Sequence, residues 1–170
     1  MKNSYQVRAQ AFIRKFYPYI EESLGATEVI PYIEAVRKFN QEKHRRVRVN
    51  NGMTRVVFIS NDYVIKYNRY AESHYAGGCE EELLAYQNAC KDGYQHLFAE
   101  VTRYDYRGHS FYIMPLIKGI DEYREDDLWM EFFSDAEIDY IEENFYDIHS
   151  GNFGIHNDKC IIFDYAWNAY

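Results

Sequence analysis

The sequence predicts an α+β fold in which a five-stranded antiparallel sheet follows a pair of N-terminal helices. Apolar residues recur at spacings of three and four through the first 43 positions, and the period then drops to two. The β-type segments come as five short runs, three before and two after a single acidic helix. At 170 residues the chain has room for one hydrophobic core, and no Gly/Ser linker or internal repeat divides it.

The first helix is expected over residues 4–23, where Tyr5, Phe12, Ile13, Phe16, Tyr19 and Ile20 share a face and Pro18 predicts a kink or a split into two. Thr27 is the expected N-cap of a second helix, Glu28 to Lys43, burying Val29, Ile33, Val36 and Phe39, with Pro31 tolerated in its first turn. The basic run His44-Arg45-Arg46-Val47-Arg48 reads as a solvated helix end, its cations answering the negative pole of the dipole. Strands are predicted at 46–49, 55–59 and 63–67, joined by turns at Asn50-Asn51-Gly52 and Asn61-Asp62. A helix at Glu80–Cys90 follows, with Leu83, Leu84, Tyr86 and Gln87 at its buried and boundary positions. Two more strands are expected near Ala99–Asp105 and Ser110–Met114, the second broken by Pro115. A helical region over Asp121–Phe145 restarts at Ser134-Asp135, and a strand pair at Phe153–Ile155 and Cys160–Phe163 ends the chain.

Composition narrows the function classes. Tyr, Phe and Trp make up 18% of the residues, which excludes a disordered chain. The formal charge of −8 disfavours a general nucleic-acid binder, since phosphate contacts need a positive field, although a local basic patch is compatible with it. Three cysteines without C-x-x-C spacing argue against a disulfide framework or structural zinc and suit a reducing cytosol. With no apolar run near 18 residues and no secretory h-region, the expectation is a cytoplasmic protein without a membrane partner.

The chemistry concentrates in Asp147-Ile148-His149-Ser150-Gly151-Asn152-Phe153-Gly154 and in Ile161-Ile162-Phe163-Asp164-Tyr165. A carboxylate, an amide five residues on and a second carboxylate after an apolar strand are hard oxygen donors, the kind that hold Mg²⁺ against a triphosphate. Upstream, Lys66 sits in the middle of the otherwise apolar Tyr63-Val64-Ile65-Lys66-Tyr67, and a lysine there needs an anion, for which Glu80, Glu81 and Glu82 are on offer.

The order of meander, strand lysine, acidic helix, two strands, connector, D-x-x-x-x-N and strand-Asp resembles the protein-kinase-like fold over residues 46–166. Asp-Ile-His-Ser-Gly-Asn is similar to the version found in small-molecule, lipid-associated and phage-encoded kinase-like proteins. The resemblance implies one kinase-like domain: an N-terminal helical extension (1–45), an N-lobe with helix C and hinge (46–117), and a truncated C-lobe carrying the catalytic loop (118–170). It implies ATP and Mg²⁺ as cofactors. Asp147 would orient the attacking group and accept its proton, Lys66 would contact the α- and β-phosphates, and Glu82, with Glu81 as alternative, would pair with Lys66. Asn152 and Asp164 would be the metal ligands. Gly52 and Thr54 would face phosphate, while Met114, as gatekeeper, and the backbone of Pro115 and Ile117 would face adenine. His149 would orient the catalytic loop by hydrogen bonds.

The sequence also departs from that pattern. The phosphate loop has one glycine, Phe145-Tyr146 replaces His-Arg before the catalytic Asp, and Asp-Phe-Gly is Asp164-Tyr165-Ala166. Six residues follow Asp164, so no activation segment or distal helical lobe is expected, and with them no phosphorylation switch. These features look most like a minimal bacteriophage or bacterial kinase, acting in the host cytoplasm if viral. Its phosphoacceptor is unread: a host protein, a metabolite and autophosphorylation all stay open, as does a homo-oligomer that completes the short C-terminus. The competing reading is a catalytically inactive pseudokinase that serves as a protein-binding inhibitor or scaffold.

Overall fold

The computed structural model describes residues 4–52, 54–69, 78–119, 128–146 and 150–167. These form α1 (Ser4–Ile20), α2 (Ile30–Lys43), β1 (Arg48–Asn51), β2 (Arg55–Ile59), β3 (Tyr63–Asn68) and α3 (Cys79–Asp92). Then come β4 (Thr102–Tyr106), β5 (His109–Pro115), β6 (Lys118–Gly119) and α4 (Asp135–Asn144). The chain closes with β7 (Phe145–Tyr146), β8 (Phe153–His156), β9 (Lys159–Ile162) and β10 (Ala166–Trp167). Contacts divide it into a first unit, Met1–Cys79 with Val101–Leu116, and a second, Glu80–Glu100 with Ile117–Tyr170.

The first unit is an antiparallel sheet of order β1-β2-β3-β5-β4 with α1 and α2 on one face. Strand alternation sends Val56 and Phe58, Tyr63, Ile65 and Tyr67, and Phe111 and Ile113 toward the helices. Phe16 meets them from α1, its ring edge-on to Phe58 at 5.1 Å and to Phe39 of α2 at 5.0 Å. The N-terminal residues are therefore part of this core, a docking that no local sequence signal encodes.

Several sequence expectations are corrected here. Pro18 does not split α1 into two helices: it lies in the last turn, where a missing N–H forfeits a single bond, and Ile13, Phe16, Tyr17 and Ile20 anchor the helix on the sheet. Thr27 is not the N-cap of α2, which starts at Ile30 after Val29, with Pro31 in the first turn setting the start. The buried face of α2 is Tyr32, Ala35, Val36 and Phe39, so Ile33 stays 46% exposed and Val29 half-buried. Large Tyr32 in the core rotates the helix one position from the expected stripe.

Pro115 ends β5 without breaking it. It stands opposite Tyr63, and the neighbouring Leu116 N–H donates to the Asp62 carbonyl at 3.1 Å. Pro115 therefore occupies a non-hydrogen-bonded position where the ladder asks for no N–H. The strand expected from Ala99 begins only at Thr102, because the Ala99 N–H donates instead to Ile162 at 2.7 Å.

In the second unit β6, β8 and β9 form a small antiparallel sheet, and β7 pairs with β10. Asn157 and Asp158, both at positive φ (51° and 62°), make the tight primed turn that joins β8 to β9. Gly154 is required for packing: a Cβ there would lie 2.5 Å from the Lys118 carbonyl oxygen and from Ile117 Cγ2. Helix α4 opens at Ser134 as the sequence predicts, its N–H and hydroxyl both donating to Glu137 Oε2 at 2.8 and 2.7 Å. Its far end is corrected: the helix stops at Asn144, and Phe145 enters β7 opposite Trp167. The expected helical stretch from Asp121 through residue 127 lies outside the described residues. On α3 the buried face is Cys79, Glu82, Ala85 and Ala89, so Leu84, expected near the core, is 47% exposed and Gln87 is exposed.

Candidate functional site

Strand β3 sets the position of Lys66. With Tyr63, Ile65 and Tyr67 committed to the helices, Val64 and Lys66 point to the opposite face of the sheet. The register places Lys66 between Val57 and Tyr112, and Val64 beside Met114. Lys66, Tyr112 and Met114 thus share one face and are all buried, Lys66 to 5% exposure. An ammonium held there requires compensating charge or hydrogen bonds, which few structural roles ask of a mid-sheet lysine.

The β1–β2 loop, expected to face phosphate, is closed on itself. The Gly52 N–H donates to the Arg55 carbonyl at 3.0 Å, and the Arg69 guanidinium donates to the Gly52 carbonyl at 3.3 Å. The Arg69 N–H donates to the Thr54 carbonyl at 3.0 Å. Gly52 and Thr54 are therefore fixed by Arg69, a residue the sequence reading passed over. Its only advance signal was a cation placed just after the lysine strand. At the other end of the sheet, Met114 and Pro115 close β5 and Ile117 is buried at the start of the second unit.

Of the three acidic residues in the first turn of α3, Glu82 is fully buried, Glu81 half-buried and Glu80 exposed. Glu82 thus shares the helix face of Cys79, Ala85 and Ala89, a spacing of three and four.

Asn152 and Asp164 come together within the second unit. The Asn152 side-chain amide Nδ2 donates to the Asp164 carbonyl, and the Phe163 N–H donates to the Asn152 carbonyl at 2.9 Å. These two bonds tie the end of β9 to the turn that precedes β8. With Nδ2 committed as a donor, Oδ1 is the acceptor end of the amide, and the Asp164 carboxylate lies on the adjoining segment. Two hard oxygen donors on segments locked side by side fit a divalent cation that takes oxygen ligands.

Tyr165, the next residue after Asp164, is anchored in the core of the second unit. It is 2% exposed, its hydroxyl donates to the Ala99 carbonyl at 2.7 Å, and its ring packs edge-on against Phe98 at 5.0 Å. The sequence showed Tyr165 only as a departure from phenylalanine; the extra hydroxyl was the sign of this anchor. Asp147 and His149 lie outside the described residues, as does Met53 of the β1–β2 loop.

No protein-family model, curated protein or solved structure matches the chain. The first unit holds Lys66, Gly52, Thr54, Met114 and Pro115, and the second holds Glu82, Ile117, Asn152 and Asp164. Among the described residues no helix is long and apolar enough to cross a membrane.

Proposed function

We propose that the chain is a protein-kinase-like phosphotransferase that uses ATP and Mg²⁺. The observation that carries the reading is the closure of Asn152 onto the Asp164 segment, which ties the amide-bearing turn to the carboxylate-bearing segment after an apolar strand. A buried mid-strand Lys66 and a fully buried Glu82 on an acidic helix add the charge pattern that triphosphate handling needs. In this reading Asn152 and Asp164 hold Mg²⁺, Lys66 contacts the α- and β-phosphates, and Glu82 pairs with Lys66. Asp147 orients the acceptor hydroxyl and takes its proton, so the residues supply positioning and charge neutralisation more than covalent chemistry. When bound, Mg²⁺ neutralises phosphate charge.

A second reading rests on the β1–β2 loop. The Gly52 N–H, a donor that a phosphate loop would use, is spent on Arg55. That favours a catalytically inactive scaffold on the same fold, whose task is protein binding.

Calorimetric titration of ATP, with and without Mg²⁺, separates the two. The expected outcome is Mg²⁺-dependent binding in the micromolar range that Asp164→Ala reduces at least tenfold, with Asp147→Asn binding normally but turning over no ATP. A folded chain that binds no nucleotide assigns the scaffold role. Parent-like binding and turnover in both variants would refute the residue assignment.

A further inference from the structure

An open groove of about 1330 Å³ runs along the first unit between α1, α2 and the β2–β3 turn. It is larger than the 300–1,000 Å³ usual for a small-molecule cleft, and its charge is at odds with the chain. Arg8, Arg14 and Lys15 of α1, Lys38 and Lys43 of α2, and Arg45 and Arg46 just beyond α2 line it. Its two carboxylates are both engaged internally: Arg8 pairs with Asp62, and the Tyr19 hydroxyl donates to Glu42 at 2.6 Å. Seven cations against two acids give the groove a net +5, within a protein whose formal charge is −8. The basic run at 44–48 is therefore more than a solvated helix end, because α1 brings three further cations to it.

Between the cations the wall is apolar, supplied by the exposed Pro18 and the half-buried Ala11 and Phe12, with Phe39 and Val47 buried behind them. This mixture discriminates among polyanions. A phosphodiester strand is met by cations plus exposed ring faces for its bases. Here Phe39 and Tyr63 are buried, Phe12 and Tyr19 are half-buried, and the Lys43 ammonium lies 5.9 Å from the Tyr19 ring centroid, so no ring presents a fully open face. The negative charge over the rest of the molecule would also repel a long nucleic acid beyond the groove. An acidic peptide with apolar side chains between its carboxylates matches both components. From Arg8 to Tyr19, α1 advances about 16 Å at 1.5 Å per residue, the reach of about five extended peptide residues.

We propose that this groove is a docking site for a short acidic, apolar-anchored peptide segment of a partner protein. Lys15, Lys38, Arg45 and Arg46 are exposed and supply the field, while Arg8 and Arg14 are held in place by Asp62 and the Tyr104 hydroxyl (3.0 Å). The surface lies wholly within the first unit and stands whether or not the nucleotide reading holds.

The test is selection of a random twelve-residue peptide display library on the full chain, with an Arg45→Glu/Arg46→Glu variant for counter-selection. Circular dichroism melts check that the variant folds, and Lys15→Glu/Lys38→Glu serves as a second charge reversal. The expected result is enrichment of peptides combining Asp or Glu with Leu, Ile or Phe. The best of them should bind by fluorescence anisotropy at least tenfold more weakly to either variant, and more weakly as salt rises. Enrichment of neutral or basic peptides, or binding unmoved by both reversals, overturns the proposal. Tighter variant-sensitive binding of a twelve-nucleotide oligothymidylate would assign the groove to nucleic acid instead. Variant-sensitive self-association in sedimentation would assign it to a second copy.

Discussion

Tyr165 shows how much a single oxygen atom contributes. Its hydroxyl donates to the Ala99 carbonyl inside the second unit, where neither group reaches bulk water. Tyr165→Phe keeps the ring against Phe98 and Phe145 but leaves that carbonyl unsatisfied. The expected loss is about 1–2 kcal/mol, read as a lower urea midpoint with an unchanged slope. The segment before Tyr165, Phe163-Asp164, is held by Asn152 at two points, the Phe163 N–H donating to its carbonyl and its amide donating to the Asp164 carbonyl. Asparagine in the turn and tyrosine after the strand-Asp were both visible in the sequence. That the amide would grip the Asp164 carbonyl was not, because that contact exists only once β8 and β9 have paired.

At the scale of elements, the start of α4 carries a titration that the fold makes testable. The Ser134 N–H, then His96 and the Ser134 hydroxyl, hold the Glu137 carboxyl below the ordinary carboxylate range. A depressed folded pKa gives stability that is present above about pH 4.3, the unfolded value, and lost as pH falls through the folded one. The urea midpoint of the parent should therefore drop, as pH falls below the unfolded value, more steeply than that of Glu137→Gln, which has no charge to lose there. The helix start at Ser134-Asp135 was legible because it is local, and so were β2, β3 and the β8–β9 strand pair, each written in short apolar or β-branched runs. The misread elements were those decided at a distance. The stripe of α2 turned to seat Tyr32, β5 took in Pro115 as its last residue because Tyr63 stands opposite, and Phe145 left its helix to pair with Trp167. Lys66 was legible as a mid-strand charge. The fixing of the Gly52 loop by Arg69 was not, since the two lie 17 positions apart.

For the whole molecule, the N-terminal helices are structural before they are anything else. Among the described residues, nine of the seventeen buried side chains in the core of the first unit come from α1 and α2. Removing residues 1–45 would uncover the apolar face of the sheet and leave Phe58, Ile65 and Phe111 without their cover. At about 1.5–3 kcal/mol per large buried side chain, the loss exceeds the total stability of an ordinary domain. The expected outcome is a truncated chain with no cooperative thermal transition by circular dichroism, and retention of a sharp melt would show that the sheet stands alone. The same helices also concentrate positive charge in a chain that is acidic as a whole.

The strand order β1-β2-β3-β5-β4 also has a consequence for how the protein is made. On the ribosome β3 emerges together with β2, but its other neighbour begins at His109, about 40 residues after Asn68. At 5–20 residues per second, that leaves the edge of β3 waiting for about 2–8 s of synthesis. During that interval the nascent strand is an open invitation to pair with any extended chain nearby. A lysine in its middle is the kind of residue that discourages such pairing, so Lys66 has a protective part to play seconds before there is a finished protein for it to serve.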